Sequence, residues 1–358
     1  VHIFTKGKKN AIKKEYLGDG RIVIHSINTD FDYIIDNSVM KKRMSYFIFD
    51  NKVINEINKE NKKGKFDIIH THGWLTAGAF ISKILNNLKW VHTFHAVEKN
   101  RLKFMSEEEK KYYKIARWVE STIKNADALI SVSENLKKEI LENYRVDENK
   151  LKYIPNGVDL SLFNHFNVKK EDERVLYIGR FSLEKGIAFI SEIASYCLKK
   201  DKKVRFVIVS PDTNVDSFKV FRKKMKELEE KYKERFVWHK TAINRKELAE
   251  LYKSSSVYIQ PSIYESFGLC VLEAMACGCV VVCSDRGGLP EVVGNAGEVV
   301  QLDAEKFSEK ILHLVGNEKL RKRYFDLAVK RAANFSWEKI ATDTLQLYKQ
   351  IAKYRKPL

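Results

Sequence analysis

The sequence predicts an α/β chain of two halves, each a parallel sheet wound with helices. Three observations predict it. Short apolar runs alternate with longer helical stretches along all 358 residues, a polar stretch without period interrupts the middle, and no run approaches the ~20 apolar residues of a membrane span. In the first half the runs are Val1–Thr5, Arg21–Ile27, Phe66–His72, Trp90–His95, Ala128–Ser133 and Leu151–Gly157. In the second half Arg174–Arg180, Val204–Ser210, Arg235–Lys240, Ser256–Ser262 and Cys279–Asp285 repeat the pattern. Strands separated by helices in this way build Rossmann-like βαβ units, whose ligands lie at the carboxyl ends of the strands. The break falls in NHFNVKKEDE, residues 164–173. The expected division is therefore a first domain over 1–165, a second over 166–335 and a terminal helix over 336–358, with Ser336 as its N-cap.

Composition narrows the class. A content of 44% hydrophobic and 31% charged residues excludes a disordered or fibrous chain. The first residues, VHIFTKGKKN, lack the apolar core and cleavage pattern of a signal peptide, so a cytoplasmic location is expected. Of the five cysteines, Cys277, Cys279 and Cys283 crowd one apolar strand without a second ligand pair at finger-like spacing. They are expected as reduced, buried, small apolar residues. The net charge of +18, from 65 basic and 47 acidic residues, would attract nucleic acid, anionic lipid or polyphosphate substrates. Nucleic acid is excluded for want of finger spacing, a basic zipper or an RNA-binding aromatic motif. Peripheral contact of a basic first domain with anionic membrane stays open beside the cytoplasmic reading.

The densest chemistry lies in Pro261–Gly294, PSIYESFGLCVLEAMACGCVVVCSDRGGLPEVVG. A strand ends at Pro261, Ser266-Phe267-Gly268 turns the chain, and Leu269–Ala276 is a run of helix formers closed by Gly278. Backbone N–H groups at the start of that helix attract phosphate, and Glu273 within it can accept bonds from ribose hydroxyls. Glu265 sits in the turn, eight positions earlier (273 − 265 = 8). Arg180, at the end of one strand, and Lys185, in LEKG before a helix, supply two cations for a diphosphate: the guanidinium can bridge two oxygens, the ammonium acts as a point charge. No Gly-x-Ser-x-Gly elbow, HExxH or Walker A loop is present, which excludes those hydrolase and NTPase arrangements.

These residues in this order resemble the Glu-x7-Glu signature of retaining, nucleotide-sugar-dependent glycosyltransferases of the GT-B fold, glycosyltransferase family 4. HTHGWLTAG and TFHAVEKNR look most like its glycogen-synthase and sucrose-phosphate-synthase branch. The resemblance implies two Rossmann-like domains facing each other across a cleft, with the terminal helix crossing back to the first. It also implies that the first domain lacks the family's opening strand, glycine-rich loop and first helix, so that a catalytically silent sugar-nucleotide binder is the alternative to an enzyme. As an enzyme the chain would transfer a hexose, glucose foremost, from UDP-glucose or ADP-glucose to a hydroxyl of a glycan or small sugar. A membrane lipid is the alternative acceptor.

The resemblance further assigns residues. Glu265, His95, Arg180 and Lys185 would be catalytic. Arg180, Lys185, Glu265, Ser266, Phe267, Gly268, Leu269 and Glu273 would bind the donor, with Gly287-Gly288 and Pro290-Glu291 forming a loop at its pocket. His72, Glu98, Arg101 and Asn156 would face the acceptor, although Pro155–Asp159 reads equally as a turn. No cofactor or metal is expected, since fixed cations take over the diphosphate charge and Asp30-Phe31-Asp32 is too short a pattern to carry a metal site. His70 and His92 are expected to point the other way along their strands and serve structure. Ser210-Pro211 stands where relatives often have a Gly-x-Gly turn.

Overall fold

The computed structural model describes residues 1–6, 14–27, 38–64, 66–73, 77–105, 107, 110, 121–166, 170–212 and 218–353. Contacts divide the chain into two compact units. The first comprises Val1–Ser131, Ile140–Lys152 and Gln346–Leu358, and the second Val132–Glu139 and Tyr153–Leu345. This line differs from a division at residue 165. Val132–Glu139 groups with the second unit because Ser133 Oγ donates to the Ser266 carbonyl (2.7 Å), and Glu134 and Asn135 donate their N–H groups to the Glu291 carboxylate (2.7 and 2.6 Å). The helix Trp337–Lys353 is shared, its residues from Gln346 onward counting with the first unit. Ser336 Oγ accepts from Lys339 N at 3.3 Å, as an N-cap does.

In the first unit β1 (His2–Lys6) pairs parallel with β3 (Ile22–Ile27), and β2 (Lys14–Leu17) runs antiparallel to β3. β2 is absent from the sequence reading. Its signal was the turn Gly18-Asp19-Gly20, all at positive φ, between two runs with only Tyr16 and Leu17 as large apolar residues on the first. A second sheet follows the order β4 (Ile68–His72), β5 (Lys89–Phe94), β6 (Ala128–Ser131), β7 (Leu151–Tyr153), with β4, β5 and β6 parallel. β5 is buried along almost its whole length, as a central parallel strand must be, and the helix Ala77–Asn86 covers the crossover into it.

The second unit has one parallel sheet of six strands in the order β10 (Phe236–His239), β9 (Arg205–Val209), β8 (Glu171–Ile178), β11 (Ser255–Gln260), β12 (Val280–Ser284), β13 (Gly297–Val300). Each neighbouring pair is parallel. From β8 the chain winds outward through β9 to β10, and from β11 it winds the opposite way through β12 to β13. The reversal lies between β8 and β11, where right-handed crossovers put the following helices on opposite faces and open a crevice at the carboxyl ends. Local signals set the helices: Asn244 and Glu247 form a reciprocal capping box on Arg245–Ser254, and Asp303 caps Ala304–Val315. Val175, Tyr177, Phe206, Ile208, Val257, Ile259, Val280 and Val282, all at most 1% exposed, pack against Ile187, Ile190, Phe307 and Ile311. Lys170 Nζ ties the entry to β8 by donating to the carbonyls of Lys253 and Ser255.

Candidate active site

At the reversal, the segments after β8 and β11 meet. Lys185 Nζ lies 2.6 Å from Glu265 Oε2, with side chains only 18% and 15% exposed, although 80 residues separate them. The approach is backbone-tight. Gly186 has φ +79°, and a Cβ there would stand 1.8 Å from the Pro261 carbonyl oxygen, so only glycine lets the two segments touch. Ile263 and Tyr264 donate their N–H groups to the Glu184 carbonyl (2.9 and 3.2 Å), fixing the turn that presents Glu265. Gly287 closes it from the other side, with φ +58° and a would-be Cβ 1.9 Å from the Glu265 carbonyl oxygen, while Gly288 N donates to that oxygen at 2.9 Å. Gly287→Ala is therefore expected to cost more than the ~1–3 kcal/mol of the backbone conformation alone. A melting curve with loss of donor affinity would show it; an unchanged melting point would refute the strain.

Arg180 is placed on the same loop. Its guanidinium, 61% exposed, donates to Glu184 Oε2 at 3.1 Å. Glu184 is the residue that the sequence reading passed over; its i,i+4 spacing from Arg180 was the available signal. Three fully buried tyrosines stand behind these segments. Tyr177 OH donates to the Lys185 carbonyl (3.1 Å) and Tyr252 OH to Glu273 Oε2 (3.3 Å), while Tyr258 OH lies within hydrogen-bond reach of Gln260 Oε1 (2.6 Å) and the Ile178 carbonyl (3.1 Å). Tyr177 and Tyr258 lie on strands and Tyr252 on the helix Arg245–Ser254, and only their hydroxyl partners tie them to the site. Burial pushes the Glu273 carboxyl up to about 7, against the opposing Tyr252 hydrogen bond and Arg245 charge. Ser266 and Phe267 are buried, Gly268 is left-handed (φ 109°) and Leu269 begins the helix Leu269–Ala276 with its side chain 44% exposed. Burial pushes the Cys270 thiol up to about 12 and Cys277 and Cys283 higher, so these residues stay thiols at neutral pH.

In the first unit the histidines cluster at the ends of β4 and β5. His72 Nδ1 lies 3.1 Å from His95 Nε2, and both rings are exposed. His70 does not point away from them. It is two residues before His72, so both share one face of β4, and their rings stack with centroids 4.4 Å apart. His92 is the structural one: it is 1% exposed, with Nδ1 3.0 Å from Thr71 Oγ1, which also accepts from Trp90 Nε1. Burial first, then the neighbouring histidines, pulls His70 down to about 3 and His92 well below the usual imidazole range. Because the unfolded chain binds these protons below about pH 6.5 and the folded one does not, stability falls as pH drops through that value. The loss is about 1.4 kcal/mol per pH unit for a fully buried histidine. Denaturant midpoints at pH 7 and pH 5 should differ, and His92→Gln should narrow the gap.

Glu98 and Arg101 pair with each other in the short helix Glu98–Arg101 (3.0 Å). Asn156 belongs to the second unit, in the turn held by Val158 N donating to the Phe335 carbonyl (2.8 Å). Ser210 continues the β9–β10 ladder, its N–H donating to the His239 carbonyl, and Asp212 pairs with Arg222 at 2.9 Å. Asp30-Phe31-Asp32 lies outside the described residues. Among the described residues, His2, His25 and Glu60 are close enough to share an ion. Glu60 Oε1 already accepts from Lys14 and Lys63 (2.8 and 3.0 Å), two ammonium groups that oppose a cation and hold its carboxyl down at about 2.

Two family models cover the chain in turn, "Glycosyltransferase Family 4" over residues 1–162 and "Glycosyl transferases group 1" over 161–330. The alpha-maltose-1-phosphate synthase of Mycolicibacterium smegmatis is 28% identical over 322 residues, 83% of this chain and 82% of that protein. The D-inositol 3-phosphate glycosyltransferase of Paenarthrobacter aurescens is 24% identical over 98% of this chain and 88% of its own. Among solved structures, a sucrose-phosphate synthase from Thermosynechococcus elongatus matches 98% of this chain and 88% of its own at a TM-score of 0.78 and 24% identity. An Escherichia coli structure described as trehalose-6-phosphate bound with UDP-2-fluoro glucose matches 98% of this chain and 92% of its own at 0.73 and 13%. Two Rossmann-like units, the second with its sheet reversing between β8 and β11, together with these matches place the molecule in the GT-B class. The chain belongs to glycosyltransferase family 4, and it is a glycosyltransferase. No helix among the described residues is long and apolar enough to cross a membrane.

Proposed function

We propose that this chain is a retaining hexosyltransferase that moves glucose from a nucleoside diphosphate sugar to a hydroxyl of a phosphorylated small sugar or polyol. The single observation that carries the reading is the Lys185–Glu265 pair at the β8/β11 reversal, inside the Glu265-to-Glu273 frame. Lys185 and Arg180 would neutralise the departing diphosphate without a metal ion, because positive charge fixed in a partly dry crevice needs no reorganisation as negative charge develops. Glu265 would hold the sugar hydroxyls and offset the positive charge of the oxocarbenium-like sugar, with the amides of Phe267–Leu269 on phosphate and Glu273 on the ribose. The departing phosphate oxygen would take the acceptor proton on the same face of the sugar, so no side-chain base is required. His72, His95, Glu98 and Arg101 would serve the sugar and acceptor side from the first unit. The phosphorylated acceptor is favoured by the names of the relatives, which include a maltose-1-phosphate synthase and an inositol 3-phosphate glycosyltransferase.

A thermal-shift screen of UDP-, ADP- and GDP-sugars tests the donor half. The matching donor at ~100 times its dissociation constant adds ~2.7 kcal/mol of stability. A set of flat responses would sink the reading. Product analysis by NMR then reports the anomeric configuration: a β-linked product from an α-linked donor would contradict retention.

A further inference from the structure

Beneath the exposed His72–His95 pair lies a ring held on two sides. His70 Nδ1 is 2.5 Å from the Tyr348 hydroxyl and His70 Nε2 is 2.7 Å from Thr93 Oγ1. The Tyr348 ring meets the imidazole edge-on, with centroids 5.6 Å apart at 88°. Tyr348 lies 278 residues further along the chain, on the last turns of the helix Trp337–Lys353, in the part that belongs to the first unit. Thr93 is on β5, two residues before His95, and its carbonyl accepts from Gly73 N at 3.1 Å, just after His72. His70 stacks on His72 at 4.4 Å with planes 26° apart, and His72 stacks on His95 at 5.4 Å and 21°.

We propose that Tyr348 is a positioning residue: acting through His70, it fixes the orientation and tautomer of the His72–His95 pair. The proposal rests on the reading that puts His95 beside the transferred sugar. A neutral imidazole has one donor and one acceptor nitrogen, and the His72–His95 hydrogen bond uses a donor on one ring and an acceptor on the other. The nitrogen of His95 left to face a ligand is Nδ1, and whether it donates or accepts is therefore decided by that bond. An imidazole alone turns easily about its last torsion, whose wells are broad and two-fold. A flat ring pinned at both nitrogens and stacked beneath His72 takes that freedom away. Burial pushes the Tyr348 hydroxyl up to about 12, so it keeps its proton through the working range. The same hydroxyl could be mere packing of the terminal helix, and the two roles separate experimentally.

The test uses the full chain labelled with 15N-histidine and two variants. Tyr348→Phe keeps the edge-on ring and removes the hydroxyl. His70→Phe keeps a flat ring under His72 and removes both hydrogen bonds. Long-range 1H–15N spectra at pH 7.5 are expected to show one tautomer each for His72 and His95 in the parent chain and a mixture in both variants. With the donor identified by the screen above, Tyr348→Phe should lower kcat about tenfold at unchanged donor KM, as misplacement of a reacting-centre group does. Unchanged His72 and His95 signals in both variants, or changed tautomers at an unchanged kcat, overturn the proposal. If Tyr348→Phe does not fold, His70→Phe reads the same spectrum. If the parent chain binds no sugar nucleotide while the tautomers still respond, the positioning of the pair stands and the transferase role of His95 falls.

Discussion

Replacing Lys185 with alanine is expected to lower kcat/KM by about 10²- to 10³-fold, the loss typical of removing one preorganised charge-stabilising donor from a reaction centre. The size follows from where the ammonium sits. It is 18% exposed, 2.6 Å from Glu265 and anchored from behind by Tyr177 through its own carbonyl, so it is already aimed before any substrate arrives. Most of the loss should fall on kcat, because a diphosphate gains charge as it leaves. The variant also strands Glu265, 15% exposed, without its cation, so stability should fall as well. Steady-state kinetics of Lys185→Ala and Lys185→Arg decide the matter. Wild-type kcat in the alanine variant would remove Lys185 from the chemistry.

The second large effect is a pH dependence of donor affinity set by Glu273. Its carboxyl titrates near 7 because burial disfavours the charge. Ribose hydroxyls donate more strongly to a carboxylate than to a neutral acid. If only the ionised form holds the donor, the apparent dissociation constant should fall about tenfold between pH 6 and pH 8, and Glu273→Gln should bind weakly with a flat profile. Stability moves the other way. A carboxyl raised in the folded state loses stability as pH rises from its unfolded value to about 7, a cost of about 3 kcal/mol when complete. Glu273→Gln should therefore melt higher than the parent chain at pH 8 and show a smaller difference at pH 5. Calorimetric titration and melting at both pH values check the two signs together, and a pH-independent affinity in the parent chain would show that Glu273 does not hold the donor as a carboxylate.

Much of the local structure of Pro261–Gly294 was legible in the residues alone. The turn at Ser266-Phe267-Gly268, the helix Leu269–Ala276 and the strands on either side follow from local propensity, glycine and proline punctuation and apolar runs, and all of these are short-range signals. The first unit was harder. β2 escaped because an edge strand with Tyr16 64% and Leu17 43% exposed carries little apolar pattern. His70, expected on the opposite face, shares the face of His72, because residues two apart on a strand point the same way. The grouping of Val132–Glu139 with the second unit is not a local property, because Glu291 and Ser266 hold the start of the helix Glu134–Asn143 through contacts that span more than 130 residues.

By itself the sequence determined that this is an α/β chain of two Rossmann-like halves and that Glu265 and Glu273 flank a turn and a helix start between two strands, because strand and helix periods and turn residues are written within ten or so neighbours. Only the tertiary structure decided that Lys185 meets Glu265, that Tyr177, Tyr252 and Tyr258 turn their hydroxyls toward the site, and that Tyr348 reaches His70. Those pairings depend on strand order. A parallel sheet that reverses its winding between β8 and β11 brings together loops some 80 residues apart, and no local period encodes which strand will lie beside which.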